Sequence, residues 1–436
     1  MLLETLATAR ACSWASMRST TTLLAILSIV ASSSALQPRA LPRPSTRRPS
    51  HTIMSADDSE APIVIAGAGL HGAALAYYLT LRGEKPLLID KHSVAAAASG
   101  KGGGFLARDW GSGPTTQLHT VSFALHAELA EALNIESYRR LPVLSVTPGV
   151  RSKRTKDVCP WLDGDGIDTT RIMDPDGGAQ VAPYELCTKL VDAAVAAGAT
   201  FRKGGVEGLE TSGETVTGVK VDGEVVPCKA FVCTMGPWAA CAQDWFDMPI
   251  PMTGIKSTSI VFKAEEGQAV EPYALFCGED DRFGTHLEVY PRNSGEVYLC
   301  GIGGSEYVDG ERLRQGEYPP GEVHADPARV KAAAASFGSM SKTLGGGEPA
   351  IAQACMRPCP PDAMPYMGRV PDLSNAYISA GHNVSCLPRR LTLSRRLFFV
   401  PKLMRALSLD VCACRASLCD ADSAGASCGH PCRASR

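Results

Sequence analysis

Three glycines and one acid are the first residues of this chain whose types and spacing specify chemistry. Gly67, Gly69 and Gly72 form G-x-G-x-x-G directly after the apolar run Ile63-Val64-Ile65-Ala66, and Asp90 follows 18 residues after the last glycine. Between a strand and a helix, the first glycine permits a tight turn, the second lets bare backbone approach a pyrophosphate, and the third lets helix and sheet pack closely. The amides at the helix start then face phosphates. A carboxylate ending the next strand accepts ribose hydroxyls and disfavours a 2′-phosphate, which argues against NADP. Lys91, beside that acid, joins it as a cofactor-binding candidate. These residues alone leave NAD and FAD open. Other chemistries lack their signatures: no H-E-x-x-H or paired C-x-x-C spacing occurs, so no metal site is expected, no P-loop lysine follows a G-x-x-x-x-G, and "GLHGAA" in the fingerprint contains no nucleophile elbow.

The elements that must hold this constellation are legible around it. The apolar run before Gly67 suits a central parallel strand covered on both faces. A helix is expected from Leu70 to Arg82, stopped by Gly83, and a second strand at Leu87-Leu88-Ile89. "AAAASGKGGGFLARDW", Ala95 to Trp110, can lay bare amides of Ser99, Gly100, Gly103 and Gly104 along a ligand, its plain alternative being a surface loop. Apolar residues at helical spacing predict a helix over 115–135. Pro183 opens another, lined by Leu186, Leu190 and Ala194 and closed by Gly198. Asp222-Gly223 predicts a hairpin. Ala230 to Cys233 reads as a short strand, broken by Gly236 before Pro237-Trp238, where the chain can pass close to a ligand.

Taken in order, "GAGLHG", "Pro183-Tyr184-Glu185-Leu186" with its alanine-rich helix, "VCTMGPWA", "YPRNSGEVYLCG", "MRPCPPDAMPYMG" and "AYISAGH" resemble the D-amino-acid oxidase (DAO) superfamily of FAD-dependent oxidoreductases, glycine and sarcosine oxidases included. The likeness covers most of 61–384, and "ASGKGGGFLARDW" is similar to an uncharacterised eukaryotic subgroup. The resemblance implies an α/β fold: a discontinuous Rossmann-like FAD-binding domain (GR2-type) from 61–125, 176–245 and 350–384, with an antiparallel-sheet substrate domain from 126–175 and 246–349. It implies FAD, with Gly67, Gly69 and Gly72 at the pyrophosphate and Asp90 on the adenosine ribose. The Ser99 to Gly104 loop would run beside the flavin, Val206 near adenine, Gly236 and Trp238 against the nucleotide, and Gly381-His382 near the isoalloxazine. The glycine loop has no His where some relatives carry one, so the expected FAD is noncovalent.

The implied reaction is oxidation of a C–N bond in a small amine or amino acid, with O₂ or another electron acceptor taking the electrons. Such chemistry asks the protein for orientation, desolvation and electrostatics rather than a strong acid–base pair. A carboxylated substrate asks for an Arg, whose planar fork matches it. By resemblance that residue is Arg357, the catalytic and substrate-binding candidate, against the alternative of an inter-strand Arg. Arg292 is the reserve, against a hairpin role, and Tyr290 a residue that closes the pocket, against a core role. Two rival readings are an NAD-linked dehydrogenase and a non-catalytic descendant that keeps the fold for partner binding.

The 436 residues, with 45% hydrophobic and 20% charged content and a net charge of −2, are ordinary for a globular protein of two or three domains. Charge is uneven. Residues 1–56 hold six Arg against Glu4, and 385–436 hold eight Arg and Lys402 against three Asp, so the interior of the chain is acidic and nucleic acid is not an expected partner. Residues 1–56 read as a targeting presequence: Arg18, an apolar run Leu23 to Ala31 too short to span a bilayer, small residues, then an acid-free Arg/Ser/Pro stretch. That order suits a signal peptide followed by a transit peptide and plastid import; translation from Met54 would instead leave the enzyme cytoplasmic. No transmembrane segment is expected in the mature chain. Of 16 cysteines six crowd into the last 52 residues, and the rest are scattered as buried thiols usually are. From Asn383 the likeness stops, arginine and cysteine become dense, and 385–436 is expected to be an aberrant, poorly ordered tail whose loss of the family's final helix would impair activity.

Overall fold

The computed structural model describes residues 61–110, 116–150 and 159–382; the expected presequence and the tail lie outside them. Along the chain, β1 (Ile63–Ala66) leads through the glycine turn into α1 (Leu70–Thr80) and out again in β2 (Leu87–Asp90). Then come α2 (Pro183–Ala196), β3 (Thr200–Lys203), β4 (Ala230–Cys233), β5 (Thr253–Lys263), β6 (Glu306–Val308), the short α3 (Gly310–Arg314), β7 (Ile351–Cys359), β8 (Tyr366–Arg369) and β9 (Ala376–Ala380).

One sheet has the order β8-β9-β4-β1-β2-β3 and is parallel except for β8. Its central strand is apolar on both sides because both sides are covered. Ile65 joins Leu75, Leu79, Leu186 and Leu190 under α1 and α2. Val64 and Ala66 join Phe231, Phe246 and Ile250 on the opposite face. Local signals behave as their chemistry demands. Gly83 follows α1 with φ +85°, Pro183 occupies the first turn of α2, and Asp222-Gly223, at φ 50° and 81°, turns the strand 215–221 back into 224–227.

The second large sheet has eight strands and is centred on β5, which pairs with β7 over nine residues on one edge and with β6 and strand 296–300 on the other. Three details differ from the sequence reading. The sheet is antiparallel except where 274–277 pairs parallel to 143–148. Those strands come from separate insertions, so no hairpin forces them into opposite directions. Residues 351–359, grouped with the FAD-binding segments by sequence, are β7 of this second sheet, and only β8 and β9 of that group belong to the first. The helix Thr116–Ala132 likewise runs unbroken across the expected boundary at 125, with Phe123, Leu129 and Ala130 in the core beside α1 and α2.

Phe231 is fully buried on β4 at the centre of the first sheet. Phe231→Ala should destabilise the protein by about 3–5 kcal/mol, read as a lower urea midpoint with an unchanged slope.

Candidate functional site

The turn between β1 and α1 is held by contacts that leave little room. The Gly67 amide donates to Ile89 O at 2.7 Å, and the Thr234 hydroxyl donates to Ala66 O and Gly67 O at 2.8 and 2.9 Å. Gly67 has φ +103°, where an L side chain is strained. A Cβ on Gly72 would lie 1.9 Å from Gly67 O, so the first turn of α1 rests directly on the turn that precedes it. Asp90 ties the far side: its two carboxylate oxygens accept from the amides of Ala68 and His92, each at 2.8 Å. The Ser99 hydroxyl accepts from the Leu70 amide at 3.0 Å.

These contacts border a cavity of about 380 Å³. Gly67, Gly69, Asp90, Lys91, Ser99, Val206, Gly236, Trp238, Gly381, His382 and Arg357 all line it, so the structure brings together most of the candidates. Gly72 instead supports the turn from behind. Gly100 packs on Ala95 O, Gly103 on the rings of Tyr290 and Tyr298, and Gly104 on Val181 O, which makes them supports of the loop rather than parts of the lining. Tyr290 is buried in an aromatic cluster with Phe105 and Tyr298, and its hydroxyl donates to Glu288 at 2.5 Å. Arg292 pairs with Glu296 at 2.7 Å and donates to Gly102 O. Both therefore stand in the packing behind the loop, the core and hairpin roles that were their alternatives.

The donor set fits a dinucleotide. Gly69, the residue that precedes α1, has no side chain to cap it, and the first turn holds no acid, so the positive end of the helix dipole meets the cavity with no opposing charge, while Ser99 accepts from the Leu70 amide. Lys91 adds a cation at the rim. Glycine leaves space where a Cβ at position 69 would meet Ser99 Oγ at 3.0 Å. At the other end, Arg357 on β7 donates through Nε and Nη2 to Ser257 Oγ at 3.2 and 2.8 Å, which fixes the plane of its guanidinium at the cavity wall.

Several lining residues stand outside the candidates taken from the sequence, where His71 reads only as a tolerated substitution in the turn. His71 sits inside the fingerprint, its Nδ1 3.0 Å from Ser379 Oγ and its ring edge-on to His382 at 3.7 Å. His382 is partly exposed as a residue, but its Nδ1 is enclosed; burial first, and His71 second, hold its imidazole well below the ordinary value. Leu313, Tyr318, Pro319 and Pro320 also line the cavity. Pro319-Pro320 marks a loop in any sequence, yet nothing local says that this loop returns to the dinucleotide turn.

Comparison with known proteins agrees with the geometry. Residues 62–387 match the family DAO, FAD dependent oxidoreductase. The uncharacterised oxidoreductase YurR of Bacillus subtilis is 25% identical over 367 residues, which span 74% of this chain and 90% of that one. The 4-methylaminobutanoate oxidase (formaldehyde-forming) of Paenarthrobacter nicotinovorans is 23% identical over 358 residues, 73% of this chain and 41% of its own length. A glycine oxidase structure from Geobacillus kaustophilus shares the fold at TM-score 0.62 and 17% identity, covering 80% of this chain and 91% of that chain. Thus the dinucleotide is FAD, and the NAD-linked alternative falls away.

Gly72→Ala should weaken FAD binding by about one to three kcal/mol, because its new methyl meets a backbone oxygen that cannot rotate aside. Titration of the apoprotein with FAD measures this as a dissociation constant raised roughly five- to 150-fold.

Proposed function

The chain belongs to the DAO family of FAD-dependent oxidoreductases, and on that premise we propose that it oxidises the C–N bond of a small amino acid or carboxylated amine. The single observation that carries this reading is Arg357, oriented by Ser257 at the wall of the cavity that begins at the glycine turn. Glycine and 4-methylaminobutanoate, the compounds named for two relatives, each join an amine to a carboxylate.

Bound FAD supplies the acceptor for a hydride from the carbon next to nitrogen. The protein's share is placement. Arg357 holds a carboxylate in two-point geometry, which fixes the direction in which the neighbouring C–H bond points. Trp238, Leu313, Met235 and Pro358 give the cavity apolar walls that exclude water and strengthen that ion pair. The His382 imidazole, lowered by burial, is neutral at pH 7 and does not compete with Arg357 for the anion.

The FAD of this reading is noncovalent. Cys241 is a cysteine lining the cavity, and burial raises its thiol, so it is a poor nucleophile. Acid precipitation should therefore release the flavin into the supernatant; yellow colour retained in the pellet contradicts noncovalent attachment.

Anaerobic addition of D-, L- and N-methyl amino acids to the yellow holoprotein should bleach the visible flavin band with at least one of them. Arg357→Ala should raise the dissociation constant of that substrate about ten- to hundredfold, the value of a lost charge-assisted pair, with a smaller change in bleaching rate at saturation. An unchanged constant removes Arg357 from the reading, and a holoprotein that no amine or amino acid bleaches supports the non-catalytic alternative.

A further inference from the structure

Downstream of α3 the chain does not return directly to the second sheet. Gly316, Tyr318, Pro319 and Pro320 line the cavity. The Tyr318 carbonyl accepts from Trp238 Nε1 at 3.0 Å, next to Gly236 at the end of β4. Three residues on, Gly321 lies against His92, its Cβ position 3.6 Å from the imidazole, just past Asp90 and Lys91 at the end of β2. Segment 316–321 thus touches the cradle at two points, beyond β4 and beyond β2, with β1 and the glycine turn between them in the sheet. Gly316 and Gly321 have φ +78° and +83°, while the two prolines between them restrict the backbone. The result is a stiff strap with a permissive joint at each end.

The strap is fastened from the other sheet. Glu306 on β6 accepts from the Tyr318 hydroxyl at 2.5 Å, from Arg312 at 3.2 Å and from Lys256 at 3.3 Å. Arg312 also pairs with Glu317, and both Lys256 and Arg312 lie over the Tyr318 ring, at 5.5 and 5.4 Å. Glu306 is held below the ordinary carboxylate range, with the Tyr318 hydrogen bond the largest cause, while the same bond raises Tyr318. The ionised acid and neutral phenol are therefore the matched pair at neutral pH. A single half-exposed pair contributes little, but one carboxylate holding three donors from three elements is a network.

We propose that Glu306 and Tyr318 are positioning residues for cofactor retention: they hold segment 316–321 across the dinucleotide cradle, so that FAD leaves only when this strap lifts. The glycine fingerprint sets where FAD binds, and the strap sets how slowly it departs. This rests on FAD being the cofactor, not on the proposed C–N oxidation, and its test reads flavin release without any substrate.

Full-length holoprotein freed of excess FAD is followed for flavin appearing in the filtrate. Glu306→Ala should release FAD about tenfold faster or more, and Tyr318→Phe, which keeps the ring and removes only the hydroxyl, several-fold faster. Glu210→Gln, which breaks a comparable exposed pair with Lys220 between the paired strands 206–212 and 215–221, should release it at the wild-type rate. In the wild-type protein, added FAD should slow tryptic cleavage after Arg314, and Glu306→Ala should lose that protection. Wild-type release rates in both strap variants overturn the proposal, and so does cleavage after Arg314 that FAD leaves unchanged in the wild type. The latter needs no variant to fold. A protein that bleaches with no substrate yet shows the release pattern leaves the strap standing and the C–N reading refuted.

Discussion

The contact on which the site depends is the one between Gly72 and Gly67 O, where a β-carbon would be 1.9 Å from a carbonyl oxygen. With nothing but hydrogen at position 72, α1 starts directly against the turn that leaves β1. Its first residues, Leu70 and His71, then line the cavity rather than being displaced from it. The rest of the cradle depends on that position. Thr234 holds the turn from β4, Asp90 holds it from β2, and Ser99 approaches the helix start from the following loop. Three separate stretches of chain converge on one turn because backbone can come close only where side chains are missing.

The second sheet serves the same cavity from another direction. β5 lies between the strand that carries Arg357 and the strand that carries Glu306, and itself contributes Lys256 and Ser257 to them. Adjacent residues of one strand thus brace Arg357 at the cavity wall and Glu306, the partner of Tyr318. Ser257 and Ser305, 3.0 Å apart, complete the link. On the two proposals above, substrate placement and cofactor enclosure share one support, which suits a reaction in which the two partners must be aligned.

Much of this was legible in residue order, because it rests on local chemistry. The glycine spacing, Pro183, Gly83 and Asp222-Gly223 each act within a few residues, and each lies where its own stereochemistry requires. Arg357 was found by likeness to a family and stands in the cavity. Tyr290 and Arg292, adjacent to it in the same argument, stand behind the loop instead, because strand alternation and hairpin pairing decide on which side a residue emerges. The allegiance of residues 351–359 was hidden for a related reason: nothing in that segment tells which distant strand it will pair with. The same is true of Tyr318, whose neighbours in space, Trp238 and Glu306, are set by how two sheets are threaded.

That threading has a bearing on biogenesis. β1 lies beside β4, 167 residues later in register, and β4 lies beside β9, where Phe231 is opposite Ala376. A ribosome that has delivered the fingerprint has delivered only one of the walls around it. The nascent chain cannot form this binding cavity until residue 380 has emerged. Until then β4 is without its neighbour on one edge, a condition in which long-range parallel pairing is slow and prone to association. Capture of FAD thus waits for the last strand of the first sheet, long after the fingerprint it depends on has left the ribosome.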